Sequence, residues 1–142
     1  MRGIVGVGTG AVVAMLVTAC GPPPEALVTR CTNRPLETGD AHGCEVSAGR
    51  LDEEQTASFR LTPGYSRVDV TFDLLVAAGR ATVAFDSLPG RTWTVGPGAP
   101  ARATVVVPLD RGLGGVLLRV RPEGGAVERL TGALAYRGLA AE

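Results

Sequence analysis

Apolar residues recur at every second position through most of the chain after residue 44. The clearest run is residues 66–76, in which Val68, Val70, Phe72 and Leu74 alternate with mostly polar residues. Successive side chains of a β-strand point to opposite faces of its sheet, so this run predicts a strand with one buried face. The same alternation predicts further strands within residues 56–62, 80–86, 102–109, 116–121 and 130–137.

Turn-forming residues separate these predicted strands. Gly permits a positive φ, and Pro presets φ for a turn. Residues of these two types lie at positions 63–64, 79, 89–90, 96–98, 112, 114–115 and 124–125. After the first 20 residues, no helical periodicity continues for as long as about ten residues. We therefore predict an all-β fold, a single antiparallel, jelly-roll-like β-sandwich of about seven or eight strands.

The order of these signals is similar to that of bacterial pre-peptidase C-terminal domains and related jelly-roll modules. Their G-x-L strand, their F-x-L strand before a glycine turn and their late V-R-V-like strand correspond to residues 49–51, 59–64 and 115–120. The chain lacks their acidic turn, for which residues 86–90 are a partial match. The resemblance implies an accessory domain that supports folding, secretion or ligand contact.

The first 20 residues carry a different pattern. An apolar stretch, residues 4–17, follows Arg2 and leads through two small residues to Cys20. A positive charge, a short apolar stretch and small residues are the three parts of a secretory signal. The stretch is shorter than the roughly 20 apolar residues that cross a bilayer. An uncleaved N-terminal membrane anchor stays open as an alternative.

The end of this segment, Leu16-Val17-Thr18-Ala19-Cys20, resembles the lipobox of bacterial lipoproteins. The resemblance implies cleavage before Cys20, a diacylglycerol on its thiol and often an acyl chain such as palmitate on the new amine. Each buried CH₂ contributes about 0.8 kcal/mol, so two or three chains hold a protein firmly. We expect a lipid anchor on the extracytoplasmic side of the cell membrane or outer membrane. A secretory signal without lipid is the alternative.

These patterns predict three regions. Residues 1–19 are the signal peptide, residues 20–30 are the lipidated cysteine and a Pro-rich tether, and residues 31–142 are the β-sandwich domain. The three prolines at 22–24 favour an extended polyproline II segment. Such a segment keeps the domain away from the bilayer.

Cys31 and Cys44 are the two cysteines that remain after Cys20 is modified. In an oxidising compartment we expect them to form a disulfide. The bond would close a polar, turn-rich loop that contains an exposed His42, and would stabilise the fold by about 3 kcal/mol. A metal site formed by these cysteines and His42 is disfavoured because structural zinc sites use four ligands.

Charge and residue types restrict the function. The 14 arginines balance 14 acidic residues, which argues against a nucleic-acid partner. The chain has one histidine, His42, so we expect no catalytic residues, no metal and no cofactor. Whether the acidic run 52–54 binds calcium stays open. We expect Asp69 and Asp73, on one face of a strand, to pair with arginines of neighbouring strands.

The sequence thus predicts a non-catalytic interaction or accessory module with a protein or cell-wall glycan as its partner. The alternative is a carbohydrate-binding module in which Trp93 and Tyr65 stack on sugars. Trp93 would otherwise fill the core. Three apolar residues on polar strand faces, Leu75, Val106 and Leu117, cover a second layer or form a patch for a partner.

Overall fold

A computed structural model of the protein describes residues 26–33 and 41–140. The predicted signal peptide, Cys20 and the prolines of the tether lie outside the described residues. The described residues form nine β-strands and contain no helix long and apolar enough to cross a membrane. The strands are β1 (Val28–Asn33), β2 (Ala41–Leu51), β3 (Gln55–Arg60), β4 (Tyr65–Leu75), β5 (Ala81–Phe85), β6 (Thr92–Val95), β7 (Ala101–Pro108), β8 (Gly115–Pro122) and β9 (Val127–Ala140).

The strands form two antiparallel sheets. The five-stranded sheet has the order β1-β2-β9-β4-β7, and the four-stranded sheet has the order β3-β8-β5-β6. Apart from the β1–β2 and β5–β6 pairs, consecutive strands lie in opposite sheets. This is the connectivity of a jelly roll, with β1 added at one edge. The predicted fold class is confirmed, with nine strands in the described residues instead of seven or eight.

The core lies between the two sheets and is apolar. Val68, Val70, Phe72 and Leu74, predicted to share the buried face of β4, are each at most 2% exposed. Among the residues that the structure describes, every buried side chain is apolar. Burial of such a Val, Leu or Phe side chain contributes about 1.5–3 kcal/mol.

The segment around the two cysteines differs from the predicted loop. Cys31 and Cys44 lie directly opposite each other in β1 and β2, and their sulfur atoms are bonded at 2.03 Å. The predicted disulfide is therefore present, but it joins two paired strands. Strand β1 begins at Val28, so residues 28–30, which the sequence assigned to the tether, belong to the sheet.

His42 does not lie in an exposed loop, as the sequence suggested. It belongs to β2, is half-buried and stacks on the ring of Tyr136, with ring centroids 4.8 Å apart and an interplanar angle of 18°. The Tyr136 hydroxyl donates a 2.9 Å hydrogen bond to the carbonyl oxygen of Arg60. The imidazole therefore packs at the inner side of the sheet, where the polar sequence around it gave no sign of a strand.

Strand β9 is irregular at Arg129, whose φ of 55° lies in the left-handed region. Val127 and Leu130 are both fully buried although they are three positions apart, so the strand changes its buried face here. A side chain costs about 1–2 kcal/mol in this conformation, whereas Gly adopts it freely.

We expect Arg129→Gly to raise the free energy of unfolding by about 0.5–1 kcal/mol in urea denaturation, because relief of this strain exceeds the entropy cost of Gly. The matched control is Thr131→Gly, an exposed position of the same strand with ordinary φ. It should lower the free energy of unfolding by about 0.5–1 kcal/mol. Equal losses in both variants would contradict the left-handed conformation at Arg129.

Candidate ligand-binding groove

The outer face of the five-stranded sheet carries two adjacent rows of side chains. Directly paired residues of neighbouring strands present their side chains on the same face, so each row crosses all five strands. The first row consists of Thr32, Gly43, Ala135, Thr71 and Thr104. The second row consists of Arg30, Glu45, Ala133, Asp73 and Arg102.

The two rows line a shallow groove. Its main part has a volume of about 600 Å³ and crosses β1, β2, β9 and β4. Smaller depressions adjoin it over β1–β2 and over β4–β7, so the groove reaches from one edge of the sheet to the other. At a spacing of about 4.8 Å between strands, its length is about 19 Å. The small residues Gly43, Ala133 and Ala135 form the middle of its floor.

Charged and hydroxyl groups surround this small-residue floor. Arg102 Nε lies 3.0 Å from Asp73 Oδ1, an ion pair at one end of the second row. The two atoms are not aligned for a hydrogen bond, and Oδ1 is covered. Arg30 is directly opposite Glu45 at the other end. The hydroxyls of Thr71 and Thr104 lie 3.1 Å apart, within hydrogen-bond distance.

The expected cross-strand ion pairs are confirmed on this face. Asp73 pairs with Arg102, and Asp69 Oδ2 lies 3.4 Å from Arg137 Nη2. These side chains are a third to two-thirds exposed, so each pair contributes only a few tenths of a kcal/mol, up to about 1. Asp73 and Arg102 belong to the lining of the groove, and Asp69 and Arg137 lie on the same face of the sheet.

Exposed apolar side chains flank the groove. Val28, Leu75 and Val106 are 41–44% exposed, and all three belong to the outer face of the five-stranded sheet. The sequence had placed Leu75 and Val106 on polar strand faces. Leu117, the third such residue, is half-buried on the outer face of the other sheet. The groove and its apolar flanks therefore share one face of the molecule.

Trp93 and Tyr65 do not lie together. The Trp93 ring makes a T-shaped contact with Phe72, with ring centroids 5.0 Å apart. The guanidinium of Arg91 lies 5.2 Å from the centroid of the Trp93 ring. Tyr65 lies over Gly138, seven residues from Phe72 along β4, which corresponds to roughly 23 Å of strand. A joint role of the two rings in sugar binding stays a prediction.

The outer face of the four-stranded sheet is organised around Arg119. Its guanidinium donates hydrogen bonds to Asp86, at 2.7 Å, and to Glu54. These two hydrogen bonds raise the pKa of Arg119 above its ordinary value. On the same face, hydrogen bonds from Thr82 and Arg121 lower the pKa of Glu123.

The acidic run 52–54 is largely engaged with arginines. Asp52 lies 3.0 Å from Arg50, and Glu54 binds Arg119. No group of three potential metal ligands occurs within residues 26–33 and 41–140. Whether the run binds calcium stays open.

No protein-family model matches this sequence, and no curated protein matches it. The chain is similar to solved domains of the jelly-roll, cupin and carbohydrate-binding-module type. The cupin domain of Schizosaccharomyces pombe Cnp3 is 12% identical, with a TM-score of 0.42 over 80% of this chain and 61% of that domain. A family 35 carbohydrate-binding module from Clostridium thermocellum is 9% identical, with a TM-score of 0.40 over 83% and 98%.

A third similar structure is the carbohydrate-binding module CBM6cm-2 from Cellvibrio mixtus lichenase 5A, solved in complex with cellotriose. It is 12% identical, with a TM-score of 0.37 over 80% of this chain and 88% of that module. These likenesses concern the sandwich, and the resemblance to pre-peptidase C-terminal domains stays a prediction.

Proposed function

We propose that the protein is a lipid-anchored, extracytoplasmic, non-catalytic interaction module that binds its partner in the groove on the five-stranded sheet. The observation that carries the binding proposal is the groove itself, which runs across all five strands. Apolar side chains fill the space between the sheets in the described residues, which leaves the outer surfaces for a ligand. The apolar flanks add the kind of surface that binding partners cover.

The anchor brings this groove close to the membrane. Val28, the first residue of β1, is eight positions after Cys20. A fully extended chain of that length spans at most about 28 Å. The groove crosses β1 only a few residues beyond Val28. A partner in the groove is therefore located within a few tens of ångströms of the bilayer surface, as expected for an accessory module displayed there.

Photo-crosslinking in cells tests this use of the groove. A benzophenone amino acid replaces Leu75, which flanks the groove on its apolar side and leaves the floor open, or Thr82 on the outer face of the four-stranded sheet. We expect crosslinked products of higher mass from position 75, detected by gel shift of the full chain, and at least tenfold less from position 82. Equal products at both positions, or none at position 75, would contradict binding in the groove.

A further inference from the structure

We propose that the ligand of this groove is a neutral glycan chain laid across the strands, an inference that rests on the proposed binding function. The first argument is charge. The second row contributes Arg30 and Arg102 as cations and Glu45 and Asp73 as anions, so the groove lining carries no net charge. A ligand of one sign would approach as many like as opposite charges, whereas a neutral polar chain meets no such penalty.

The second argument is hydrogen-bonding capacity. The Glu45 carboxylate has two acceptor oxygens, and Asp73, whose Oδ1 is covered, offers the other one. Each guanidinium has five N–H donors, and each threonine hydroxyl both donates and accepts. These groups occur on β1, β2, β4 and β7, along the whole length of the groove. A chain of sugar units carries hydroxyl donors and acceptors at every unit, which suits such an extended lining.

The third argument separates a glycan from an extended peptide. The central strands β2, β9 and β4 are each paired on both sides, so their backbone N–H and C=O groups are already used within the sheet. A peptide backbone lying on this floor gains no main-chain hydrogen bonds, unlike a peptide added to a sheet edge. The side chains that rise around the floor are the available partners.

The floor also permits close approach. Gly43, Ala133 and Ala135 present at most a methyl group over β2 and β9. A sugar ring can therefore rest near the sheet while its hydroxyls reach the charged groups at either side. The two rows contain no aromatic ring, so affinity depends on hydrogen bonds and on contact with the floor.

Titration calorimetry on the full lipidated protein in nanodiscs tests this assignment. The neutral probes are N-acetylchitohexaose, cellohexaose and maltohexaose. The charged probes are the fully deacetylated glucosamine hexamer, a cation, and the galacturonate hexamer, an anion. We expect at least one neutral hexamer to bind, with at least tenfold lower affinity for both charged hexamers. The affinity for the neutral hexamer should change less than about twofold when the salt concentration rises, because its binding neutralises no net charge.

Two substitutions of uncharged residues test whether the hexamer binds in the groove. Ala133→Gln fills the floor at an exposed position, and its control Ser58→Gln lies on the outer face of the other sheet. We expect a loss of affinity of more than tenfold in Ala133→Gln and none in the control. Thr71→Val removes one groove hydroxyl without a change of size and should weaken binding about fivefold, with Thr92→Val as its control.

The outcomes separate this inference from the proposed function. Failure of all three neutral hexamers to bind, tighter binding of a charged hexamer, or equal effects of Ala133→Gln and Ser58→Gln would each overturn the glycan assignment. If crosslinks at position 75 are found in that case, the groove still binds a partner of another class. If those crosslinks are also absent, the proposed function fails as well.

Discussion

Replacement of Cys20 by serine is expected to remove the protein from the membrane fraction, or to leave it as an uncleaved precursor that retains residues 1–19. A serine hydroxyl does not accept the thioether-linked diacylglycerol that the lipobox implies. Stable anchoring needs two or more acyl chains, since one chain binds only marginally. The chain also has no net positive charge that would attract it to anionic lipids. Nearly all of the mature protein should therefore shift to the soluble fraction.

Fractionation of cells followed by mass spectrometry of the intact protein measures this result. The matched control is the double variant Cys31→Ser with Cys44→Ser, which loses the disulfide but keeps Cys20. It should stay with the membrane at a mass that includes the lipid. A Cys20→Ser protein of mature mass in the membrane fraction, or an unmodified N-terminus in the wild-type protein, would show that the anchor is not a lipid.

The buried faces of the long strands could be predicted because burial on one face leaves a local signal. Val68 to Leu74 in β4 and Val116 to Val120 in β8 alternate in the sequence as they do in the structure. Strand β6 has only four residues, too few for the alternation to stand out. Strand β1 is an edge strand of mostly polar residues, and its pairing with β2 depends on the fold around it.

The groove could not be predicted, because its residues come from five strands that are distant in the sequence. Alternation indicates that Glu45, Asp73 and Arg102 point away from the core, but not that their strands are neighbours. The sequence predicted that Asp69 and Asp73 pair with arginines of neighbouring strands, but not which arginines. Their identity follows from the jelly-roll order, which places β4 between β9 and β7.

Glycines show the same limit. Gly115 had been interpreted as part of a turn, but it begins β8, and a side chain there would collide with the backbone carbonyl of Phe59. Gly132 lies within β9, where a side chain would collide with the carbonyl of Asp73. Both glycines are required by close approach of neighbouring strands. A glycine required by close approach of another strand cannot be told from a turn glycine in the sequence, because the strand that it contacts is distant along the chain.

Trp93→Ala should lower the free energy of unfolding by about 2–4 kcal/mol, somewhat less than the loss of a fully buried tryptophan, because the side chain is only half-buried. Trp93 packs edge-on against Phe72, at 5.0 Å, and against Phe85, at 6.1 Å. Removal of the indole leaves a gap between the rings at the open side of the core. Urea denaturation followed by circular dichroism measures the loss, since Trp93 is the only tryptophan for fluorescence.

Two further variants separate packing from surface contact. Trp93→Phe keeps a ring between Phe72 and Phe85 and should cost about 1 kcal/mol. Arg91→Ala removes the guanidinium that lies 5.2 Å from the indole and should cost about 0.5–1 kcal/mol, the usual value of an exposed cation–π contact. A loss in Trp93→Ala no greater than that in Arg91→Ala would contradict a packing role for the indole.

The same variants decide between the groove and a sugar platform at Trp93. In the present arrangement the guanidinium of Arg91 lies over one face of the indole, and Phe72 and Phe85 pack against the indole in T-shaped contacts. A sugar that stacks on the face under Arg91 would have to displace the guanidinium. If glycans bind in the groove, the folded Trp93→Ala protein should bind the neutral hexamer with an affinity within about twofold of the wild-type value. The substitution lowers the stability of the fold but changes no residue of the groove. If the indole is the platform, Trp93→Ala should abolish binding and Arg91→Ala should strengthen it, while Ala133→Gln has no effect.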